Sequence, residues 1–157
     1  MTFTRSVVAY LILAAVPLFA QKDKAELPAN TIVFICEHGA AKSVIAAAHF
    51  NRLAKEKGLP HRAITRGTKP DPEIPAFIRT GLAADGLDVS GWTPRLLTEA
   101  EVRDGDRIVT LGCALPSKTA RKREEWNDIP NVGENYERAR QAIVAHIKEL
   151  VLTLAVK

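Results

Sequence analysis

The stretch from Thr31 to Cys36 is the feature that most narrows the possible folds of this chain. Its sequence, TIVFIC, is continuous, apolar and mostly β-branched. This pattern is typical of a strand buried on both faces, and such strands belong to parallel sheets that are covered by helices. A second run, from Asp106 to Leu111, has the same character. The two runs therefore predict an α/β fold.

Segments with helical periodicity separate the predicted strands, and turn residues bound them. Thr98 and Glu101 form a T-x-x-E capping box at the start of one short helix. The alternation predicts a single three-layer α/β domain, with a central, mostly parallel four-stranded sheet and flanking helices. The remaining helices are predicted at 43–57, at 75–84 and from Asn131 onward, and short strands at 62–66 and 94–97.

Length and composition exclude several classes of protein. A chain of 157 residues is the size of one domain, which needs neither disulfides nor a structural metal to fold. Two cysteines cannot form a disulfide-rich scaffold, and the four histidines show no paired spacing, so we predict no metal and no organic cofactor. A net charge of +4 is too small to indicate a nucleic-acid partner. We expect a monomer.

The N-terminus has the pattern of an export signal. Arg5 precedes an apolar run from Val7 to Ala20, which is too short to span a bilayer comfortably. We expect cleavage after Ala20, and alternatives are a buried N-terminal helix or an uncleaved anchor. Cleavage would give an exported, periplasmic or secreted protein with no stable membrane span. The predicted organisation is a signal peptide at 1–20, a linker at 21–30 and a domain at 31–157.

The segment CEHGAAKS, from Cys36 to Ser43, carries the best candidate for chemistry. It joins the first strand to the first helix, and ligands of parallel sheets bind at such strand ends. Small residues there let backbone N–H groups form an anion nest, to which the helix N-terminus and Lys42 add positive charge. Cys36 is expected to be a nucleophilic thiolate toward phosphate or arsenate, and the alternative is an inert buried cysteine. The predicted oxyanion-binding loop comprises Glu37, His38, Gly39, Ala40 and Ala41.

A cysteine, five spacers, a basic residue and a serine between strand and helix resemble the phosphate loop of one enzyme family. The family is that of low-molecular-weight protein tyrosine phosphatases, with the related thioredoxin- or mycothiol-coupled arsenate reductases. Further similar segments follow in the family's order, and the resemblance, which runs from Thr31 to the C-terminus, implies the family's fold. Those segments are 65–68, 86–90, 95–97 and 107–111.

The resemblance also implies roles for individual residues. Cys36 would be the nucleophile, the backbone of 37–42 would hold the equatorial oxygens, and Ser43 would hydrogen-bond the thiolate. The family's general acid precedes the last helix, where this chain reads WNDIPN. Asp128 is therefore the predicted general acid and base, and its alternative role is a turn residue or helix cap. Trp126 would wall the pocket or belong to the core.

Three departures from the family pattern affect the expected activity. Lys42 stands where the family has Arg, and a lysine cannot reproduce the bidentate grip of a guanidinium, so we expect weaker transition-state binding. Gly39 replaces the usual Asn without harm to the shape of the loop. The Asp-Pro acid motif is loosened to Asp128-Ile129-Pro130, and the aromatic pair that commonly lines a phosphotyrosine pocket is missing.

Cys113 is the second cysteine of the chain and follows another predicted strand. The sequence TLGC, at 110–113, resembles the arsenate reductase segment that carries a second redox cysteine. A three-cysteine relay cannot be complete here, because no third cysteine exists. A redox pair with Cys36, a disulfide between the two, an external thiol and a merely buried Cys113 all stay open.

Three functions follow from these observations. The leading hypothesis is a phosphatase-like enzyme that hydrolyses phosphate monoesters, phosphotyrosine among them, through a cysteinyl-phosphate on Cys36. The alternative is an arsenate reductase-like oxidoreductase that uses Cys36 with Cys113 or an external thiol. A non-catalytic oxyanion-binding domain is the third, because Lys42 replaces the family's Arg. The expected partners are a phosphate or arsenate oxyanion, or a phosphorylated substrate.

Overall fold

The computed structural model describes residues 27–115 and 122–156. The predicted signal peptide and residues 21–26 of the predicted linker lie outside the described residues. No helix within the two described ranges is both long enough and apolar enough to cross a membrane.

Four parallel strands of the described residues form the central sheet, as the alternating pattern predicts. They are β1 (Thr31–Cys36), β2 (Arg62–Gly67), β3 (Arg107–Thr110) and β4 (Arg123–Glu125). Their order across the sheet is β2-β1-β3-β4, and all three pairings are parallel. Every residue of β1 is buried, because this central strand has a strand on each edge and helices over both faces.

Within residues 27–115 and 122–156, four helices cover the sheet: α1 (Lys42–Glu56), α2 (Ala76–Ala84), α3 (Glu99–Asp104) and α4 (Tyr136–Ala155). Alternate side chains of β1 lie on opposite faces of the sheet. Phe34 belongs to the larger core cluster, with α1, α2 and α4, whereas Val33 and Ile35 pack with Val102 of α3 on the opposite side. This arrangement confirms the three-layer α/β architecture, and it directs the carboxyl ends of β1 and β3 to the same edge.

The sequence predicts the start of one helix correctly and the start of another incorrectly. The predicted capping box of α3 is confirmed, because both reciprocal hydrogen bonds between Thr98 and Glu101 are present. The predicted start of α4 near Asn131 is wrong. The helix begins at Tyr136, and Asn135 caps it by accepting a hydrogen bond from the N–H of Arg138.

The fourth strand is not the one that the sequence pattern favours. Residues 94–97 form only a single parallel bridge, between Gly67 and Leu96. The strand is instead β4, whose sequence is REE. A three-residue edge strand of charged side chains carries no apolar alternation, so hydrophobic periodicity cannot detect it.

Candidate active site

The Cys36 thiol lies at the end of β1, where it begins a chain of hydrogen bonds. Its Sγ is 3.2 Å from the Oγ of Ser43, in the first turn of α1. The Ser43 hydroxyl is in turn 2.6 Å from the Oγ1 of Thr65, on β2, which donates to the carbonyl of Gly39 at 3.3 Å. All these side chains are buried. Sequence reasoning missed Thr65 because its contact with Ser43 depends on the pairing of two strands.

This chain of groups can serve both protonation states of the thiol. Each hydroxyl carries one proton and can both donate and accept. With a neutral thiol, the protons run from Cys36 through Ser43 and Thr65 to the Gly39 carbonyl. With a thiolate, the two hydroxyl protons turn the other way, so that Ser43 donates to the sulfur and Thr65 donates to Ser43. The network therefore offers the sulfur of Cys36 a hydrogen-bond partner whether the thiol is neutral or ionised.

The backbone of the loop between β1 and α1 is oriented by bonds to the segment after β2. The carbonyl groups of Cys36, Glu37 and His38 accept hydrogen bonds of 3.3, 2.8 and 3.0 Å from the N–H groups of Thr68, Lys69 and Asp71. Within the described ranges, none of the N–H groups from 37 to 41 donates to a protein carbonyl. The carbonyl oxygens are thus turned away, and a row of free donors is left for an anion.

The N-terminus of α1 adds to this field of donors. Ala41 occupies the capping position and supplies no side-chain cap, so the first N–H groups of the helix have no side-chain acceptor there. Lys42 adds a full positive charge. Its Nζ donates to the carbonyl of Ile129 at 2.8 Å, which ties the loop to the segment before α4. The amine has three donors, and the other two stay available to a bound anion.

Gly39 and Gly67 permit the closest backbone contact in the site. Gly39 has a φ of +60°, which residues other than glycine rarely adopt. A Cβ on Gly39 would lie 2.7 Å from the backbone nitrogen of Gly67, and a Cβ on Gly67 would lie 2.8 Å from that of Gly39. Only glycine at both positions allows the loop to reach β2 at this distance.

A cleft of about 390 Å³ opens over the thiol. The loop after β1, the loop after β3 and the segment before α4 all contribute to its wall. Phe77 of α2, whose exposed fraction is 47%, supplies an aromatic ring at the rim that the sequence reasoning missed. The lining residues at the anion loop are Cys36, Glu37, His38, Ala41 and Lys42.

Asp128, the predicted general acid, does not line this cleft. Both of its carboxylate oxygens lie 2.9 Å from the Nε2 of His146 on α4, and its side chain is 67% exposed. The hydrogen bond from His146 holds the pKa of Asp128 below its usual range, so the group is ionised at neutral pH. The residue of this segment that does line the cleft is Asn131.

Trp126, two residues before Asp128, packs in the core of the protein. Trp126 is buried against Phe34, with ring centroids 5.4 Å apart, and it stacks on the imidazole of His146 at 4.7 Å. It is not among the residues that line the cleft. Trp126 therefore holds the segment before α4 against the core and positions the histidine that binds Asp128.

Cys113 lies close to β1 but on the other side of the sheet from Cys36. Both cysteines are free thiols. Cys113 packs against the cluster that contains Val33, Ile35 and Val102. Its S–H donates to the carbonyl of Ile35 at 3.6 Å. Burial, followed by the nearby charge of Cys36, raises the pKa of Cys113 to about 11. At pH 7 only about one Cys113 thiol in ten thousand is therefore ionised, which makes it a weak nucleophile in this conformation.

The described residues do not form a cluster of metal ligands. Within the part of the chain that the structure describes, no group of three or more His, Cys, Asp or Glu side chains is arranged to hold a metal ion. The polar groups of the cleft are donors and a thiol, which suit an anion.

Comparison with known proteins identifies the family. The model of the low molecular weight phosphotyrosine protein phosphatase family matches residues 31–149. The chain therefore belongs to this family. The match begins at β1 and includes the anion loop, the cleft and most of α4.

Individual relatives come from both branches of the family. A Halobacterium salinarum protein named "Putative arsenate reductase" is 26% identical over 113 residues, which are 69% of this chain and 79% of that protein. The thioredoxin-dependent arsenate reductase of Corynebacterium glutamicum superposes with a TM-score of 0.70 at 24% identity. That match covers 85% of this chain but only 64% of the other, so this chain spans less than two thirds of it. The low molecular weight protein tyrosine phosphatase of T. tengcongensis superposes with a TM-score of 0.69 at 18% identity, covering 79% of this chain and 99% of the other.

The glycine contact generates a stability prediction. Gly39→Ala should lower the free energy of unfolding by about 2–5 kcal/mol, since it adds both a left-handed backbone cost and a clash with Gly67. Gly58→Ala is the matched control, because Gly58 has a φ of +65° but nothing within 4 Å of its Cβ position. It should cost only about 1 kcal/mol. Urea titration of both variants measures the difference, and equal losses would contradict the close contact.

Proposed function

We propose that this chain is a phosphatase-like enzyme that hydrolyses phosphate monoesters through a cysteinyl-phosphate intermediate on Cys36. The single observation that carries the proposal is the Cys36–Ser43 contact beside a row of free backbone donors. A nucleophile and an anion nest at one strand end are what phosphoryl transfer to a thiol needs. The exposed ring of Phe77 at the rim favours esters whose leaving group is aromatic.

The reaction has two steps. In the first, the Cys36 thiolate attacks phosphorus, the S–P bond forms, the ester P–O bond breaks, and the leaving oxygen takes up a proton. In the second, water attacks phosphorus and loses a proton, the S–P bond breaks, and inorganic phosphate and the thiolate are released. The loop N–H groups, the start of α1 and Lys42 hold the charged oxygens in both steps, while Ser43 stabilises the departing thiolate.

Arsenate reduction is the second candidate, and the 26% identity to the protein named "Putative arsenate reductase" favours it. There the Cys36 thiolate would displace hydroxide or water from arsenate. A second thiol would then attack the Cys36 sulfur, so that arsenite leaves with two electrons and a disulfide forms. Cys113 lies across the sheet and is weakly ionised, so an external thiol suits the second attack better in this conformation.

One pair of assays on the reduced protein separates these candidates. We expect the wild-type chain to hydrolyse 4-nitrophenyl phosphate, Cys36→Ser to abolish that activity, and the matched control Cys113→Ser to retain it. Absent hydrolysis, together with arsenate reduction that needs Cys36 and an added thiol, would instead establish the second candidate. Inorganic phosphate that binds without either reaction would identify an oxyanion-binding domain and contradict both.

Lys42 generates a further prediction about rate. Lys42→Arg should raise kcat/KM for 4-nitrophenyl phosphate by about tenfold, the value of one additional charge-assisted hydrogen bond to the transferred group. Lys55→Arg, on the exposed end of α1, is the control for the chemical change alone and should leave the rate unaltered. An unchanged or lower rate for Lys42→Arg would mean that the site depends on the bond from Lys42 to Ile129.

A further inference from the structure

The proposed reaction needs a side chain that donates a proton to the leaving oxygen. Asp128, which the sequence predicts for this role, does not line the cleft. Asp128 is bonded to His146, and Asn131, which takes its place in the wall, has an amide that is not an acid. Among the described residues that line the cleft, the ionisable side chains other than the nucleophile are Glu37, His38 and Lys42.

His38 is held by two contacts with a single residue. Its Nδ1 is 2.9 Å from the Oδ1 of Asp71, and the N–H of Asp71 donates to the His38 carbonyl at 3.0 Å. A carboxylate beside Nδ1 fixes the proton on that nitrogen, which leaves Nε2 as the atom that gains and loses a proton. The side chain is 59% exposed and lines the cleft, so a bound ester can reach it.

We propose that His38 is the general acid and base of this site and that Asp71 is its positioning residue. The inference rests on the proposed phosphatase function. In the first step the imidazolium donates its Nε2 proton to the leaving oxygen as the P–O bond breaks. In the second step the neutral Nε2 accepts a proton from the water that attacks phosphorus, which restores the imidazolium. Asp71 stabilises the charged ring in both steps.

The other charges around His38 are compatible with this cycle. The Oε2 of Glu37 lies 3.9 Å from the Nε2, and the Nζ of Lys69 pairs with the Oε1 of Glu37 at 3.2 Å. Glu37 and Asp71 thus place two carboxylates beside the ring, and Lys42 lines the same cleft. Lys69 and Glu37 are both exposed, so solvent weakens their contribution, and the Asp71 contact at 2.9 Å is the shortest.

The experiment uses two aryl esters that differ by one nitro group, which makes one leaving group much less basic than the other. We expect His38→Gln to lower kcat/KM for phenyl phosphate about 100-fold, the usual contribution of a positioned acid. The loss for 4-nitrophenyl phosphate should stay below about tenfold, because nitrophenolate leaves without a proton. The fall in kcat/KM on the alkaline side of the pH profile should also disappear, because that fall reports loss of the acid's proton.

Asp71 variants test positioning separately. Asp71→Asn should move the alkaline fall of the pH profile to lower pH, because the imidazolium loses its carboxylate, and Asp71→Glu should partly restore it. A merely structural role would lower the rate without moving the profile. His61→Gln, at a histidine that does not line the cleft, is the control and should leave both the rate ratio and the profile unchanged.

Three results would overturn the inference. One is an equal loss for both esters in His38→Gln, and another is no loss at all. The third is a leaving-group-dependent loss in Asp128→Asn with none in His38→Gln, which would mean that the segment before α4 brings Asp128 into the cleft. These outcomes leave Cys36-dependent hydrolysis intact, whereas absence of that hydrolysis in the wild-type chain would refute the proposed function and the inference together.

Discussion

The backbone contact between Gly39 and Gly67 is the constraint on which the site depends. It lets the loop after β1 lie directly on the end of β2, where three of its carbonyl groups are bonded by the segment that follows. With those carbonyls bonded, the N–H groups of the same peptides have no backbone carbonyl partner among the described residues. The electrostatic character of the site is therefore set by backbone packing, and side chains then refine it.

The position of the thiol follows from the same packing. β1 is central and buried, its last residue Cys36 pairs with Gly67 of β2, and α1 begins six residues later. Ser43 and Thr65 are thereby brought into one buried chain of hydroxyl groups with Cys36. Thr65 reaches Ser43, which contacts the thiol, only because β1 and β2 pair in parallel register.

Sequence patterns predicted the parts of this molecule that local chemistry determines. A few neighbouring residues determine each of these parts. They are the apolar run of β1, the glycine-containing loop, the cysteine at its start and the capping box of α3. β4, the start of α4, the Thr65 contact and the His38–Asp71 pair depend on residues far apart in the chain. The placement of Asp128 depends on a long-range contact as well, since its partner His146 lies two turns or more inside α4.

Two side chains of the cleft, Lys42 and His38, are each held by a specific contact. Lys42 is bonded to the carbonyl of Ile129, and His38, which is paired with Asp71, lies at the rim of the cleft. Both side chains line the cleft that opens over the thiol. In the proposed reaction they would serve a cleft that Asp128 does not line.

The most direct measurement of the central claim is to trap the intermediate. The reduced protein is mixed with 4-nitrophenyl phosphate, quenched in acid within one turnover, digested and analysed by mass spectrometry. The account predicts one phosphoryl group on the peptide that contains Cys36, which disappears as inorganic phosphate is released. Hydrolysis without a phosphorylated Cys36 peptide, or with the phosphoryl group on another residue, would contradict it.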